Sequence, residues 1–134
     1  MEALEAIRGR RSIRSYDPKE LTRREIEDLI DAGRLAATGR GEESCEFVVV
    51  TDPAVRRELA GICDYGRFIA QAPCCIAVLC RECKYFLEDG SAATQNILVG
   101  PTPWGWAPAG SPGIKNLTPA GSPRCWAPPR NTGW

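Results

Sequence analysis

Residues 47–53 read FVVVTDP, a strand signal joined directly to a helix signal. Phe47 to Val50 are aromatic and β-branched, side chains that favour extended backbone and pack on a sheet. Asp52 then offers an N-cap carboxylate, and Pro53 stands at the first helical position, where its missing N–H would be unpaired anyway. A buried strand turning at once into a helix predicts an α+β or α/β chain.

On the C-terminal side, the helix opened by Asp52 is expected to turn Val55, Leu59 and Ile62 inward. Ala72-Pro73 breaks the chain before a second apolar run, Cys74 to Cys80 (CCIAVLC). Its apolar character on both faces suits an interior strand covered by helices. A last helix is predicted from Glu82 or Lys84 to about Val99, with Phe86, Ala93, Ile97 and Leu98 available for packing. On the N-terminal side, Thr22 and Glu25 form a capping box, with Leu21 able to staple onto Ile26. Ile26, Leu29 and Ile30 line one helical face leading to Ala36-Ala37. Leu4 and Ile7 mark a short helix that Gly9 can close in the left-handed conformation. Arg10 to Tyr16 follows as an extended or looped segment, and Asp17-Pro18 marks a turn.

The whole chain has 134 residues, enough for one ordinary domain. Seventeen basic and seventeen acidic residues cancel, which argues against nucleic-acid binding by phosphate neutralisation and against a polybasic membrane anchor. No apolar run approaches the ~20 residues that span a bilayer, and the charged N-terminus MEALEAIRGRR lacks the apolar stretch of an export signal. A cytoplasmic location with the seven cysteines as thiols is the expectation. The absence of histidine excludes Ser-His-Asp and Cys-His catalysis and any imidazole zinc site.

Composition breaks sharply near Gly100. Residues 1–99 carry all seventeen acids, three prolines and no tryptophan, whereas residues 100–134 carry eight prolines, six glycines, four tryptophans and no acid. That proline density forbids a continuous helix or an interior strand. The expected organisation is a partial domain over 1–99 and an irregular, disordered tail over 100–134.

The segment IRGRRSIRSY, Ile7 to Tyr16, gathers Arg10, Arg11, Ser12 and Arg14. In extended backbone Arg10, Ser12 and Arg14 share a side. Two guanidinium forks and a hydroxyl suit a phosphate or an electron-rich ring edge; a solvated basic face is the competing reading. Cys80-Arg81-Glu82-Cys83 is a C-x-x-C without a second pair at zinc spacing, and reads as buried thiols. Asp89, and Asp64 with Tyr65, read as surface or helix-cap groups. Gly39-x-Gly41 lacks the strand-to-helix setting of a dinucleotide fingerprint.

Taken in order, R-R-S-I-R-x-Y, F-V-V-V-T-D-P, A-P-C-C-I-A-V and D-G-S-A-A-T-Q-N-I-L resemble the nitroreductase-like FMN-dependent oxidoreductases over residues 1–99. The resemblance implies an α+β fold of helices around a mixed sheet, and a homodimer holding FMN at the subunit interface. It also implies hydride transfer from NAD(P)H to the flavin, then reduction of a nitro compound, quinone or similar small-molecule acceptor. It places Arg10, Ser12 and Arg14 at the flavin's phosphate or pyrimidine end, with Arg11 contributing through backbone or side chain. No metal site, nucleic acid or membrane is implied, and the cofactor would supply the redox chemistry without a side-chain nucleophile.

The chain departs from that pattern twice. The family usually shows P-S-x-x-N-x-Q-P-W-x-F after its second helix; here residues 37–47 read ATGRGEESCEF, with Gly41, Glu43 and Ser44-Cys45 at the distinctive positions. The C-terminal third of the family is also missing as written. Taking the third base of each codon with the first two of the next, Trp104-Gly105 and Trp106-Ala107 both become glycine. The surrounding residues then permit L-G-L-G-S-C-W, a family block. Residues after about Val99 are therefore expected to be a frameshifted translation, which truncates the domain and uncovers apolar surface on the 93–98 helix and the 74–80 strand. Two functions follow: a flavin oxidoreductase impaired by that loss, or a catalytically inactive α/β remnant acting as an interaction module.

Overall fold

The computed structural model describes residues 3–16 and 18–100. The expectations about residues 101–134, an irregular tail and a shifted frame, lie outside the described residues, as does Asp17 of the Asp17-Pro18 turn. The elements run α1 (Ala3–Gly9), α2 (Arg23–Arg34), β1 (Cys45–Val50), α3 (Pro53–Ile62), a 3₁₀ turn (Arg67–Gln71), β2 (Cys75–Cys80) and α4 (Phe86–Val99).

Local chemistry explains most boundaries. The Thr22 hydroxyl accepts the Glu25 N–H while the Glu25 carboxylate accepts the Thr22 N–H at 2.7 Å, so two otherwise unpaired donors at the start of α2 are satisfied reciprocally. At α3 the Asp52 carboxylate accepts from Ala54 at 2.7 Å and Val55 at 3.1 Å, with Pro53 just inside the helix. Of the mixed sheet expected, the described residues hold one antiparallel pair, β1 with β2, in a register that sets Cys45 opposite Cys80 and Val50 opposite Cys75.

Helix α4 is the centre of the fold and packs on α2, β1 and β2. Its Phe86, Ala93 and Ile97 join Leu29 of α2 and Val78 and Cys80 of β2 in the principal core. This changes one expectation: Ala93 and Ile97 are buried, because α2 and the strand pair cover that face. The helix also starts at Phe86 rather than Glu82 or Lys84, after a turn through Lys84 and Tyr85.

A smaller cluster joins Ala60 and Cys63 to Ile69 of the 3₁₀ turn. It shifts the inner face of α3. Val55 and Ile62 are exposed, and Leu59 and Ala60 face the cluster, because α3 packs on the 3₁₀ turn. Strand β2 is only partly buried over most of its length, since its described sheet partner lies on one side alone. Gly9 ends α1 without a left-handed turn; among the described glycines only Gly41 has a positive φ, 69°. Leu4 and Ile7, 64% and 58% exposed, leave the apolar stripe of α1 facing outward.

Candidate functional site

Beyond α1 the chain from Arg10 to Tyr16 forms neither helix nor strand, and its Arg14 and Tyr16 meet Phe68 of the 3₁₀ turn. The Tyr16 ring lies 6.3 Å from that of Phe68, tilted by 42°. The Arg14 guanidinium stands 5.9 Å from the Phe68 centroid, within cation–π range. The next residue, Ile69, is buried against Ala60 and Cys63, which fixes the turn that carries the ring. Burial pushes the Tyr16 phenol up to about 12, against the opposing pull of Arg14. It therefore stays neutral beside that cation.

Arg14, Asp64, Tyr65, Arg67 and Phe68 line a cleft of about 500 Å³. Two cations and two aromatic rings, with one carboxylate, suit a flat ligand that carries negative charge or electron-rich edges. Asp64 and Tyr65 are exposed, as the surface reading expected, and line this open cleft together with Arg14. Arg67 and Phe68 had no sequence reading as site residues. The available signal was the group Y-G-R-F at 65–68, a cation between two aromatics just before the Ala72-Pro73 break.

The other three residues of the arginine-rich segment lie elsewhere. Arg10 donates to the Ser12 hydroxyl at 3.4 Å, so these two do share a side, in an exposed position. Arg11 folds back to the carbonyls of Arg8 and Arg10 at 2.8 and 2.9 Å, capping the end of α1. Neither Arg10, Arg11 nor Ser12 lines the cleft that Arg14 helps to form.

A second polar centre organises the loop before β1. Asp89 of α4 is buried, and its two carboxylate oxygens accept the Ser44 hydroxyl and the Gly39 N–H, each at 2.8 Å. The reading of Asp89 as a surface or cap group is thus overturned: it ties the 39–44 loop to the core. Glu43 is exposed. Of the C-x-x-C pair, Cys80 is buried and Cys83 half-buried, and the sulfur nearest Cys80 is that of Cys45, 2.7 Å away across the strands. Among the described residues no group of three or more His, Cys, Asp or Glu is placed to hold a metal ion, and no helix is long and apolar enough to cross a membrane.

Comparison with known proteins agrees with this framework. The nitroreductase family model matches residues 7–64, from the arginine-rich segment through α3. A Methanothermobacter thermautotrophicus protein, provisionally named an NADH dehydrogenase/NAD(P)H nitroreductase, is 32% identical over 104 residues, covering 74% of this chain and 54% of its own length. A protein of the same name from Archaeoglobus fulgidus is 31% identical and covered over 60% of its length. The chain thus spans a little over half the length of these relatives. Among solved structures, a protein from Bacteroides thetaiotaomicron with that same provisional name superposes with a TM-score of 0.70 at 35% identity, over 72% of this chain and 59% of the other. A Desulfovibrio desulfuricans nitroreductase, also provisionally named and solved in complex with FMN, gives 0.67 at 28% identity, over 74% and 61%. The chain is nitroreductase-like in sequence and in fold.

Proposed function

We propose that this chain is an FMN-dependent oxidoreductase that uses NAD(P)H to reduce a nitro compound, a quinone or a similar small acceptor. The observation that carries the reading is the cleft in which Arg14 and Arg67 stand beside Phe68 and Tyr65. It sits at the end of the arginine-rich segment that resembles the family's flavin-binding signature. Bound there, the flavin would accept hydride and pass electrons to the acceptor. Arg14 and Arg67 would hold its electron-rich edge, and Phe68 and Tyr65 would offer faces to its ring. On the strength of the resemblance, Arg10 and Ser12 are assigned to the flavin's phosphate or pyrimidine end, with Arg11 contributing through backbone or side chain. Asp89 acts at a distance, by fixing the 39–44 loop. The neutral Tyr16 phenol keeps a second negative charge away from Arg14.

The same reading makes the chain a cytoplasmic homodimer. The support for a dimer is the exposed stripe of Leu4 and Ile7, which a second copy would bury.

The test is FMN titration by fluorescence quenching, followed by NAD(P)H oxidation with a nitroarene or quinone. Saturable binding that weakens in Arg14→Ala, together with acceptor-dependent turnover, supports the proposal. A folded chain that neither binds FMN nor oxidises NAD(P)H overturns it and leaves the inactive interaction module.

A further inference from the structure

Strands β1 and β2 place Cys45 directly opposite Cys80. The Arg81 N–H donates to the Ser44 carbonyl at 2.9 Å, which makes Ser44 and Arg81 a hydrogen-bonded pair. By the alternation of antiparallel ladders, Cys45 and Cys80 are then a non-hydrogen-bonded pair, with Cα atoms about 4.5 Å apart and side chains drawn together. That separation falls inside the roughly 4.4–6.8 Å bridged by a disulfide. Both thiols project from the sheet toward the core beneath α4, with Cys80 buried and Cys45 half-buried at its margin. Neither is used by the proposed flavin site.

We infer that Cys45 and Cys80 form a redox-modifiable dithiol, closed into a cross-strand disulfide by exchange with a low-molecular-weight disulfide. Cys45, the more accessible sulfur, attacks the external disulfide RSSR as its thiolate, forming a mixed disulfide and releasing one RS⁻. Burial pushes the Cys80 thiol up, so Cys80 gives its proton to released RS⁻ as its sulfur attacks that of Cys45, forming the Cys45–Cys80 bond and expelling the second RS⁻. The two thiol protons end on the two released thiols. Two protein thiols are oxidised and one external disulfide is reduced, so atoms and electrons balance.

The geometry also separates this pair from its rivals. Cys75 lies at the far end of β2, opposite Val50. Cys83 shares the C-x-x-C with Cys80 but sits beyond the strand, ahead of the Lys84-Tyr85 turn that leads into α4. A bond at 45–80 would staple the end of the sheet from which Ser44 reaches Asp89, so oxidation would stiffen the 39–44 loop.

The test uses the full chain. Protein is incubated with oxidised or with reduced glutathione, remaining thiols are alkylated, and non-reduced tryptic peptides are sequenced by mass spectrometry. Cys45 falls in peptide 41–56, Cys80 with Cys74 and Cys75 in 68–81, and Cys83 in 82–84. The expected product links 41–56 to 68–81, with fragment ions placing the bond on Cys80, and dithiothreitol removes it. The link should be lost in Cys45→Ser and kept in Cys83→Ser. Three results would overturn the inference: alkylation of Cys45 and Cys80 as in the reduced control, a Cys80–Cys83 bond, or glutathione remaining on Cys45. The wild-type peptides alone decide between these outcomes, whether or not a variant folds, and flavin binding does not enter the readout.

Discussion

The Ser44 hydroxyl donates a 2.8 Å hydrogen bond to the carboxylate of Asp89, forty-five residues away, and both side chains are buried. The second carboxylate oxygen takes the Gly39 N–H. Gly39 fits closely here, since a Cβ would fall 2.6 Å from the Tyr85 ring. One carboxylate thus closes a loop that would otherwise have to be ordered by its own backbone.

Asp89→Ala should therefore destabilise the protein by roughly 3 kcal/mol, because it strands one buried hydroxyl and one amide together. Asp89→Asn should cost less, as its amide can still pair with both groups. Urea unfolding midpoints compare the two. An Ala variant within about 0.5 kcal/mol of wild type would show that the loop does not depend on this carboxylate.

Gly33 lies where α2 crosses β1 and α4, and an added Cβ would meet Phe47 at 2.8 Å and Ile97 at 2.9 Å. Gly33→Ala should lower stability by about 1–2 kcal/mol, since overpacking outweighs the gain in helix propensity. Gly61 of α3 has nothing within 4 Å of its Cβ position. Gly61→Ala should instead raise the melting temperature, by an effect of about 0.5–1 kcal/mol. Opposite signs in thermal melts are the expected result.

Burial raises the Tyr16 phenol to about 12 from its ordinary value of 10.0. Between these two values the unfolded chain gives up the tyrosine proton while the folded chain keeps it. Unfolding is then favoured as pH rises. The Tyr16 contribution should be constant below pH 10, fall across this interval and level off above it. Subtracting the pH–stability profile of Tyr16→Phe isolates the effect from the other groups that titrate there. Parallel profiles would place the phenol in water.

At the cleft, Arg14→Ala should weaken FMN binding by roughly 1.5–3 kcal/mol, a factor of about 10–150. Arg14→Lys should recover only part of this, since lysine retains the charge without the planar fork or its stacking on Phe68. Arg67→Ala should weaken binding in the same direction. Fluorescence titration measures all three. Affinity unchanged in Arg14→Ala would remove the cleft from the flavin site.

Much of this framework could be read from neighbouring residues. The Thr22–Glu25 box, the Asp52-Pro53 helix start and the two apolar runs are signals within a few positions of the chain, and each stands where it was expected. The inner face of α3 was misjudged because Val55 and Ile62 fit a helical stripe as well as Leu59 and Ala60 do. Only the 3₁₀ turn packed against the helix selects between them.

The site divides along the same line. Spacing alone put Arg10 and Ser12 on one side and marked the arginine-rich segment as a candidate for binding anions. Which arginine enters a cleft depends on where Phe68 is held, and that follows from Ile69 packing against Ala60 and Cys63, residues of another element. The pairing of Asp89 with Ser44 and of Cys45 with Cys80 likewise arises from the strand register and from the seating of α4 on the sheet. Caps, strand runs and turns draw their free energy from groups a few bonds apart along the chain, so composition and order specify them. Clefts, buried carboxylates and facing thiols form between segments whose approach is set by burial of the whole core, and only the assembled tertiary structure decides them.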